Sequence, residues 1–177
     1  KADDIMREFP LSTIARLTVE AGNQTGIVYD ALVDEQFSSA LLDAIANRHR
    51  RKGRQGELVA SATRVFRRPR NGEAGFEPTI VRAEQSNTSI IYGDRYILKV
   101  FRRPDIGVNP DLEIGIFLTD RKFASIPPVA GALEYRTRTT EPTTLGILTK
   151  YIPNEGDAWQ YTLEQLSRYY ENVLTRN

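Results

Sequence analysis

Lys99 is the residue in this sequence best suited to chemistry, because it interrupts the apolar run from Tyr96 to Phe101. An ammonium group loses hydration when it is buried, and this is costly unless an anion meets it. A hydroxyl-rich stretch from Gln85 to Ser89 precedes the lysine, and Glu113 follows it in the next apolar segment. Hydroxyl groups, backbone N–H groups and a lysine together can hold phosphate oxygens. The spacing therefore predicts a nucleotide-phosphate site.

The residues around Lys99 indicate how such a site would be arranged. Side chains alternate along a strand, so Ile97, Lys99 and Phe101 share one face. An adenine ring could lie against Ile97 while Lys99 reaches the phosphates and Glu113 pairs with its ammonium group. The same residues also fit a lysine that extends to solvent from an edge strand, with Glu113 solvated in a helical turn. Taken alone, they leave both interpretations open.

The stretch Ser86-Asn87-Thr88-Ser89 is the candidate phosphate loop. It lacks the glycines of common phosphate-binding loops, so the motif is weak by itself. Backbone N–H groups in a tight turn, assisted by small hydroxyl groups, can still hold phosphate oxygens. An ordinary polar hairpin turn is the alternative.

The segments after residue 78 predict the elements that would position these groups. Alternating apolar residues and turn signals predict strands over residues 79–83, 89–92, 96–101, 129–137 and 144–152. Asn109 followed by Pro110 predicts the start of a short helix that carries Glu113. A final helix is predicted from an apolar stripe that we expect to be buried: Trp159, Leu163, Leu166, Tyr170 and Val173.

The first 78 residues carry the patterns of a hairpin and of one amphipathic helix. Strands over residues 13–19 and 27–33 form a predicted hairpin, and Asp34 is a plausible cap for a helix that ends before Gly53. The basic run of residues 48–54 then falls in the last turn of that helix, where cations oppose the helix dipole. This position favours a structural role over nucleic-acid binding. A strand-like stretch at 57–66 and a loop rich in Pro and Gly follow.

Composition limits the class of protein. The 177 residues carry a net charge of +1, from 24 basic and 23 acidic residues, which argues against binding nucleic acid or a membrane surface by bulk charge. The sequence has no cysteine, which excludes disulfides and favours a cytoplasmic protein. No apolar run approaches the length that spans a bilayer. Because the chain begins with Lys1 and stops in a helical pattern at Asn177, we expect a fragment of a longer protein.

Several motifs together resemble those of the maltokinases, which occur alone or fused behind trehalose synthase. The most specific part runs from Glu84 to Gly115, and weaker similarity reaches upstream. The matching segments are Val28 to Ala31, Gly53 to Leu58, Glu84 to Ser89, Tyr92 to Arg95, Leu98 to Arg103, Asn109 to Gly115 and Pro153 to Trp159. This resemblance favours a nucleotide site at Lys99 over a lysine that merely extends to solvent.

The resemblance implies an α+β fold with three parts. Residues 1–78 would form an N-terminal cap of antiparallel sheet and helix. Residues 79–152 would form the ATP-binding N-lobe of a kinase, an antiparallel sheet with one helix, and residues 153–177 the hinge and first helix toward a C-lobe. The parent enzyme would be similar to aminoglycoside phosphotransferases and would use ATP and Mg²⁺ to convert maltose into maltose 1-phosphate.

Site residues carry over from the resemblance one by one. Four residues match the phosphate loop: Ser86, Asn87, Thr88 and Ser89. Lys99 matches the phosphate-binding lysine, and Glu113 matches the partner of that lysine on the helix. Lys150, Tyr151 and Ile152 fall at the hinge, where backbone groups would bond to the adenine edge. We expect no catalytic residue in this chain, because the catalytic aspartate and the Mg²⁺ ligands belong to the C-lobe. His49, the only histidine, lies in the predicted cap helix.

A second hypothesis is a noncatalytic interaction or scaffold module. In that case the cap would dock onto a trehalose synthase or another sugar-metabolising domain, and the kinase-like lobe would be structural. Without its C-lobe, either form of the chain is expected to expose apolar surface.

Overall fold

The computed structural model describes residues 2–19, 24–68, 75–81, 87–154, 156 and 158–175. Within these ranges the strands form one two-stranded and one seven-stranded antiparallel sheet. Helices accompany both sheets, so the predicted α+β class is confirmed.

The N-terminal segment contains helix α1 (Ala2–Glu8) and a hairpin of strands β1 (Thr13–Val19) and β2 (Gln24–Tyr29). The two strands pair antiparallel, which confirms the predicted hairpin. The second strand ends earlier than predicted, because the Asp30 carboxylate accepts a hydrogen bond from the Leu32 N–H and starts a turn of 3₁₀ helix.

Helix α2 (Glu35–Ala46) begins where the sequence predicts it. The Asp34 carboxylate accepts a hydrogen bond of 3.0 Å from the Gln36 N–H, which confirms the N-terminal cap. One face of α2 buries Leu42 and Ile45 against the large sheet.

The predicted end of α2 is wrong. Helix α2 stops at Ala46, and Arg48 takes a left-handed backbone conformation with φ of 52°. The chain reverses there, and Arg50–Lys52 form strand β3, which pairs with β4. His49 and the following basic residues therefore lie outside the helix and not in its last turn.

The large sheet has the strand order β3-β4-β8-β9-β7-β6-β5, with every neighbouring pair antiparallel. Its remaining strands are β4 (Glu57–Ala62), β5 (Pro78–Val81), β6 (Asn87–Tyr92), β7 (Tyr96–Phe101), β8 (Val129–Arg136) and β9 (Thr143–Lys150). The predicted strands after residue 78 thus form, with ends shifted by a few residues. The bounds of β7 match the prediction.

The sheet is continuous across residue 78. Strand β4 pairs with β8 along its whole length, with Ala62 opposite Gly131. Residues assigned to the cap and residues assigned to the N-lobe therefore share one hydrogen-bonded sheet. The division into 1–78, 79–152 and 153–177 stays a prediction.

The two faces of the large sheet carry different helices. On one face, α2 covers a core whose fully buried members include Ile90, Leu98 and Leu148. On the other, helix α3 (Pro110–Asp120) packs Leu112 against a smaller cluster of Val129, Ala132 and Ile147. The Asn109 side chain accepts a hydrogen bond of 3.2 Å from the Leu112 N–H, which confirms the predicted cap.

Helix α4 (Ala158–Leu174) stands apart from the sheet, and all of its residues are exposed. The predicted helix is confirmed, but the predicted burial of its apolar stripe is wrong. Trp159 is 70% exposed and Tyr170 61% exposed, because none of the described residues covers that face. Among the described residues, no helix has the length and apolar character needed to cross a membrane.

Candidate functional site

A cleft of about 590 Å³ separates α3 from the sheet beside Lys99. Ile97, Val129 and Ile147 line it from the sheet, and Ile114 and Leu118 line it from α3. It opens on the α3 face only, since the α2 face holds the main core. Apolar walls around a single lysine form a cavity suited to a flat apolar ring that carries a charged group.

Lys99 lies in the middle of β7, opposite Ser89 on one neighbouring strand and Ile147 on the other. Its Nζ lies 3.9 Å from the Asp111 Oδ2 and 5.5 Å from the centre of the Phe101 ring. Strand alternation places Lys99 and Ile97 together on the cleft face, as predicted. The Lys99 side chain is 42% exposed, so it is less buried than its apolar neighbours in the sequence suggest.

In the part of the chain that the structure describes, Glu113 forms no ion pair with Lys99, and its role as the partner of Lys99 stays a prediction. Residues two apart on a helix point in nearly opposite directions. Leu112 turns toward the sheet, Asp111 toward the cleft, and Glu113 toward solvent. Among the described carboxylates, Asp111 is the one that forms an ion pair with Lys99.

The candidate phosphate loop is divided between the two faces of β6. Asn87 and Ser89 line the cleft. Thr88 lies on the opposite face, where its Oγ1 accepts a hydrogen bond of 3.1 Å from the Arg102 Nε. Ser86 lies outside the described residues. Alternation along β6 brings two of the four candidates to Lys99.

The candidate hinge residues line a second cavity of about 550 Å³. The Lys150 N–H donates to the Pro128 carbonyl and the Tyr151 N–H to the Arg95 carbonyl, each at 2.9 Å. Lys150, Tyr151 and Ile152 are therefore near the cleft without lining it, whereas the preceding Thr149 does line it. Their role toward adenine stays a prediction.

Sequence reasoning missed Asp111, Ile147 and Thr149 as cleft residues. Two signals could have found them. Asp111 lies in the first turn of a capped helix, where an acidic side chain is favourable. Strand alternation in β9 also places Ile147 and Thr149 on one face.

The described residues contain no group of three His, Cys, Asp or Glu side chains that could hold a metal ion. Asp111, the acidic residue that lines the cleft, is paired with Lys99. These residues therefore do not by themselves fit a Mg²⁺ site.

Comparison with known proteins identifies a fold. No protein-family sequence model matches the chain. A solved structure described as glucosamine kinase in complex with glucosamine, ADP and inorganic phosphate matches with a TM-score of 0.50 and 18% sequence identity. The match covers 84% of this chain and 31% of that kinase, so the chain spans about a third of its length. The chain therefore has a kinase-like fold.

Proposed function

We propose that this chain is the nucleotide-binding part of an ATP-dependent sugar kinase. The observation that carries the proposal is the position of Lys99, which lines an apolar-walled cleft together with Asn87 and Ser89. The likeness to a glucosamine kinase in complex with glucosamine, ADP and inorganic phosphate supports the same interpretation. Ile97, Val129 and Ile147 would pack against the adenine, and Lys99 would hold the phosphates.

For the parent protein we propose the reaction of a maltokinase. Support comes from the motifs between Glu84 and Gly115 and from the sugar-kinase neighbour. Phosphoryl transfer depends on positioning and on charge stabilisation from both sides of the nucleotide. This chain would supply one side, with Lys99 orienting the phosphates and the apolar walls excluding water. We expect it to bind ATP weakly and not to turn over alone.

Nucleotide binding can be tested on the chain itself. Isothermal titration with Mg-ATP at millimolar concentration should show binding that Lys99→Ala weakens about tenfold, because a hydrogen bond between charged groups is lost. Lys52→Ala is the matched control, since Lys52 is an exposed lysine on β3 that does not line the cleft. Equal affinities for the unmodified chain and Lys99→Ala would contradict the proposed site.

The sugar can be tested in the parent enzyme. ATP consumption should depend on maltose more strongly than on glucosamine or glucose, with maltose 1-phosphate as the product. A Lys99→Ala variant with full maltose-dependent ATP consumption would rule out the role of Lys99. Strict dependence on another sugar would leave the kinase assignment intact and remove maltose.

A noncatalytic docking module is the second candidate, and the exposed apolar face of α4 fits it as well as it fits a kinase whose C-lobe would cover that face. Trp159, Leu163, Leu166, Tyr170 and Val173 are all more than 40% exposed and lie on one side of the helix. Size-exclusion chromatography with a trehalose synthase domain should then give a complex of fixed stoichiometry. Concentration-dependent self-association without such a complex would count against this candidate.

A further inference from the structure

We propose that the groove between α2 and the edge strand β5 binds an extended basic peptide of a partner protein as an additional strand. Strand β5 stands last in the order of the large sheet, with β6 beside it. The groove lies next to α2, and its residues do not line the cleft beside Lys99. The inference therefore does not depend on nucleotide binding.

Three adjoining cavities form this groove, which we call the α2 groove. A cavity of about 350 Å³ and one of about 730 Å³ share Ser39 and Phe76. The second cavity also shares Glu35 and Pro78 with a third cavity of about 680 Å³. The α2 groove thus follows the helix from Glu35 to Ala46, a length of about 16 Å at the rise of an α-helix. About five residues of extended peptide fit along it.

The backbone of β5 offers hydrogen-bonding groups to such a peptide. The Gly93 N–H donates to the Glu77 carbonyl at 3.1 Å, so Glu77 directs its backbone toward the neighbouring strand. Hydrogen-bonded pairs recur at every second residue of an antiparallel ladder, so the backbone groups of Pro78 and Ile80 face away from β6. Both residues line the α2 groove. An added strand can pair with these groups, as strands do at open sheet edges.

One end of the α2 groove is apolar and rigid. Leu42, Phe66 and Phe76 line the cavity there. The Phe66 ring stacks on the buried ring of Tyr96 at a centroid distance of 5.1 Å, and Leu42 belongs to the main core. A large apolar side chain of the peptide fits this end.

The rest of the α2 groove is acidic. Glu35 and Glu77 line its middle cavity and form no ion pair within the described part of the chain. The third cavity adds three carboxylates: Asp4, Glu8 and Asp34. Two of these pair with Arg7, at 3.3 and 3.5 Å, and none of the described residues that line the two cavities is a cation. Complementary charge therefore favours a peptide with lysine or arginine at this end.

Fluorescence anisotropy on the full chain tests the groove with a labelled octapeptide, Lys-Lys-Val-Thr-Val-Thr-Phe-Val. Strand addition acts through the backbone and tolerates many sequences, so this probe should bind at or below millimolar concentration. Ser39→Lys should weaken binding about tenfold, because it places bulk and positive charge where two cavities meet. Ala40→Lys is the matched control, an exposed position on α2 that lines neither cavity. Absence of binding, or equal weakening by both substitutions, would overturn the proposal.

The charge of the partner can be tested with the same probe. Glu35→Gln combined with Glu77→Gln should weaken binding about fivefold, since two exposed ion pairs are lost. Glu164→Gln on α4 is the control and should leave binding unchanged. A peptide with glutamate in place of both lysines should bind more weakly to the unmodified chain. Equal binding of the two peptides would contradict a basic partner.

Two N-methylated octapeptides test strand addition, one methylated at odd and one at even positions. The N–H groups of a strand alternate in direction, so only one set can face β5. One methylated form should lose most of its affinity and the other should keep it. Equal affinities of the two forms would overturn strand addition.

Sedimentation equilibrium without peptide tests a second copy of the chain as the occupant. We expect the oligomeric state to be the same in the unmodified chain and in Ser39→Lys. Self-association that is lost in Ser39→Lys would show that another copy occupies the α2 groove and would overturn the assignment of a partner peptide.

Discussion

The two faces of the large sheet differ in how completely they are filled. On the α2 face, Ile90, Leu98 and Leu148 are fully buried, and the hydroxyl group of Tyr92 is bonded inside the core. On the α3 face, the helix touches the sheet through a few close contacts and leaves the cleft beside Lys99 open. One face of the large sheet thus packs the core that stabilises the fold. The other face leaves a cleft that is open to a ligand.

Substitutions at two neighbouring residues of β7 should separate the stabilising role of the α2 face from the ligand-binding role of the α3 face most clearly. Leu98→Ala removes a fully buried side chain from the α2 face and should lower the free energy of unfolding by about 3 kcal/mol. Ile97→Ala, on the cleft face, should lower it by only about 1 kcal/mol and should weaken binding of Mg-ATP. Urea unfolding and titration calorimetry measure the two effects. Similar losses of stability in both variants would show that the faces are equivalent.

Burial of Tyr92 on the α2 face should make the free energy of unfolding depend on pH in the alkaline range. Its hydroxyl group donates a hydrogen bond of 2.7 Å to the Ser38 carbonyl, and burial raises the pKa of Tyr92 well above its ordinary value. The unfolded chain therefore releases this proton first, and the free energy of unfolding should fall as pH rises above about 10.

Tyr92→Phe should weaken the dependence on pH in that range and cost about 1 kcal/mol at neutral pH, since the buried carbonyl loses its donor. Tyr161→Phe, on the exposed face of α4, is the control and should change neither quantity. Chemical unfolding between pH 7 and 11 tests both variants. An unchanged pH profile in Tyr92→Phe would assign the alkaline loss to other groups.

The smallest effect is expected at the phosphate-loop candidate that points away from the cleft. Thr88→Val removes the acceptor for Arg102 and should lower the free energy of unfolding by less than about 1 kcal/mol. The affinity for Mg-ATP should stay the same, because Thr88 lies on the α2 face. A large loss of nucleotide affinity in Thr88→Val, measured by calorimetry, would remove the distinction between the two faces of β6.

Local signals predicted much of the fold. The β6–β7 hairpin follows from alternation around the Gly93-Asp94 turn, and α3 begins at Asn109 because its cap and Pro110 are visible in the sequence. The end of α2 was missed because Arg48 adopts a left-handed conformation that its residue type does not indicate. Pairing of β4 with β8 was also missed, since it joins distant segments.

The candidate site was predicted in outline and not in its contacts. Periodicity places Lys99 and Ile97 on one face of a strand, and the structure agrees. It does not say how a helix is rotated against a sheet, and that rotation depends on the approach of Gly115 to Val129. This is why spacing alone did not indicate that Asp111 lies beside the lysine in this structure.

The continuity of the large sheet has a consequence for how the chain reaches its native state. Ser61 in β4 bonds to Ala132 in β8, and these residues are 71 positions apart. Contacts between such distant segments require a large loop to close before they contribute stability, and they slow folding. Until β4 arrives, β8 presents an open edge to other chains. The pairing of β4 with β8 should therefore be among the last parts of the sheet to form.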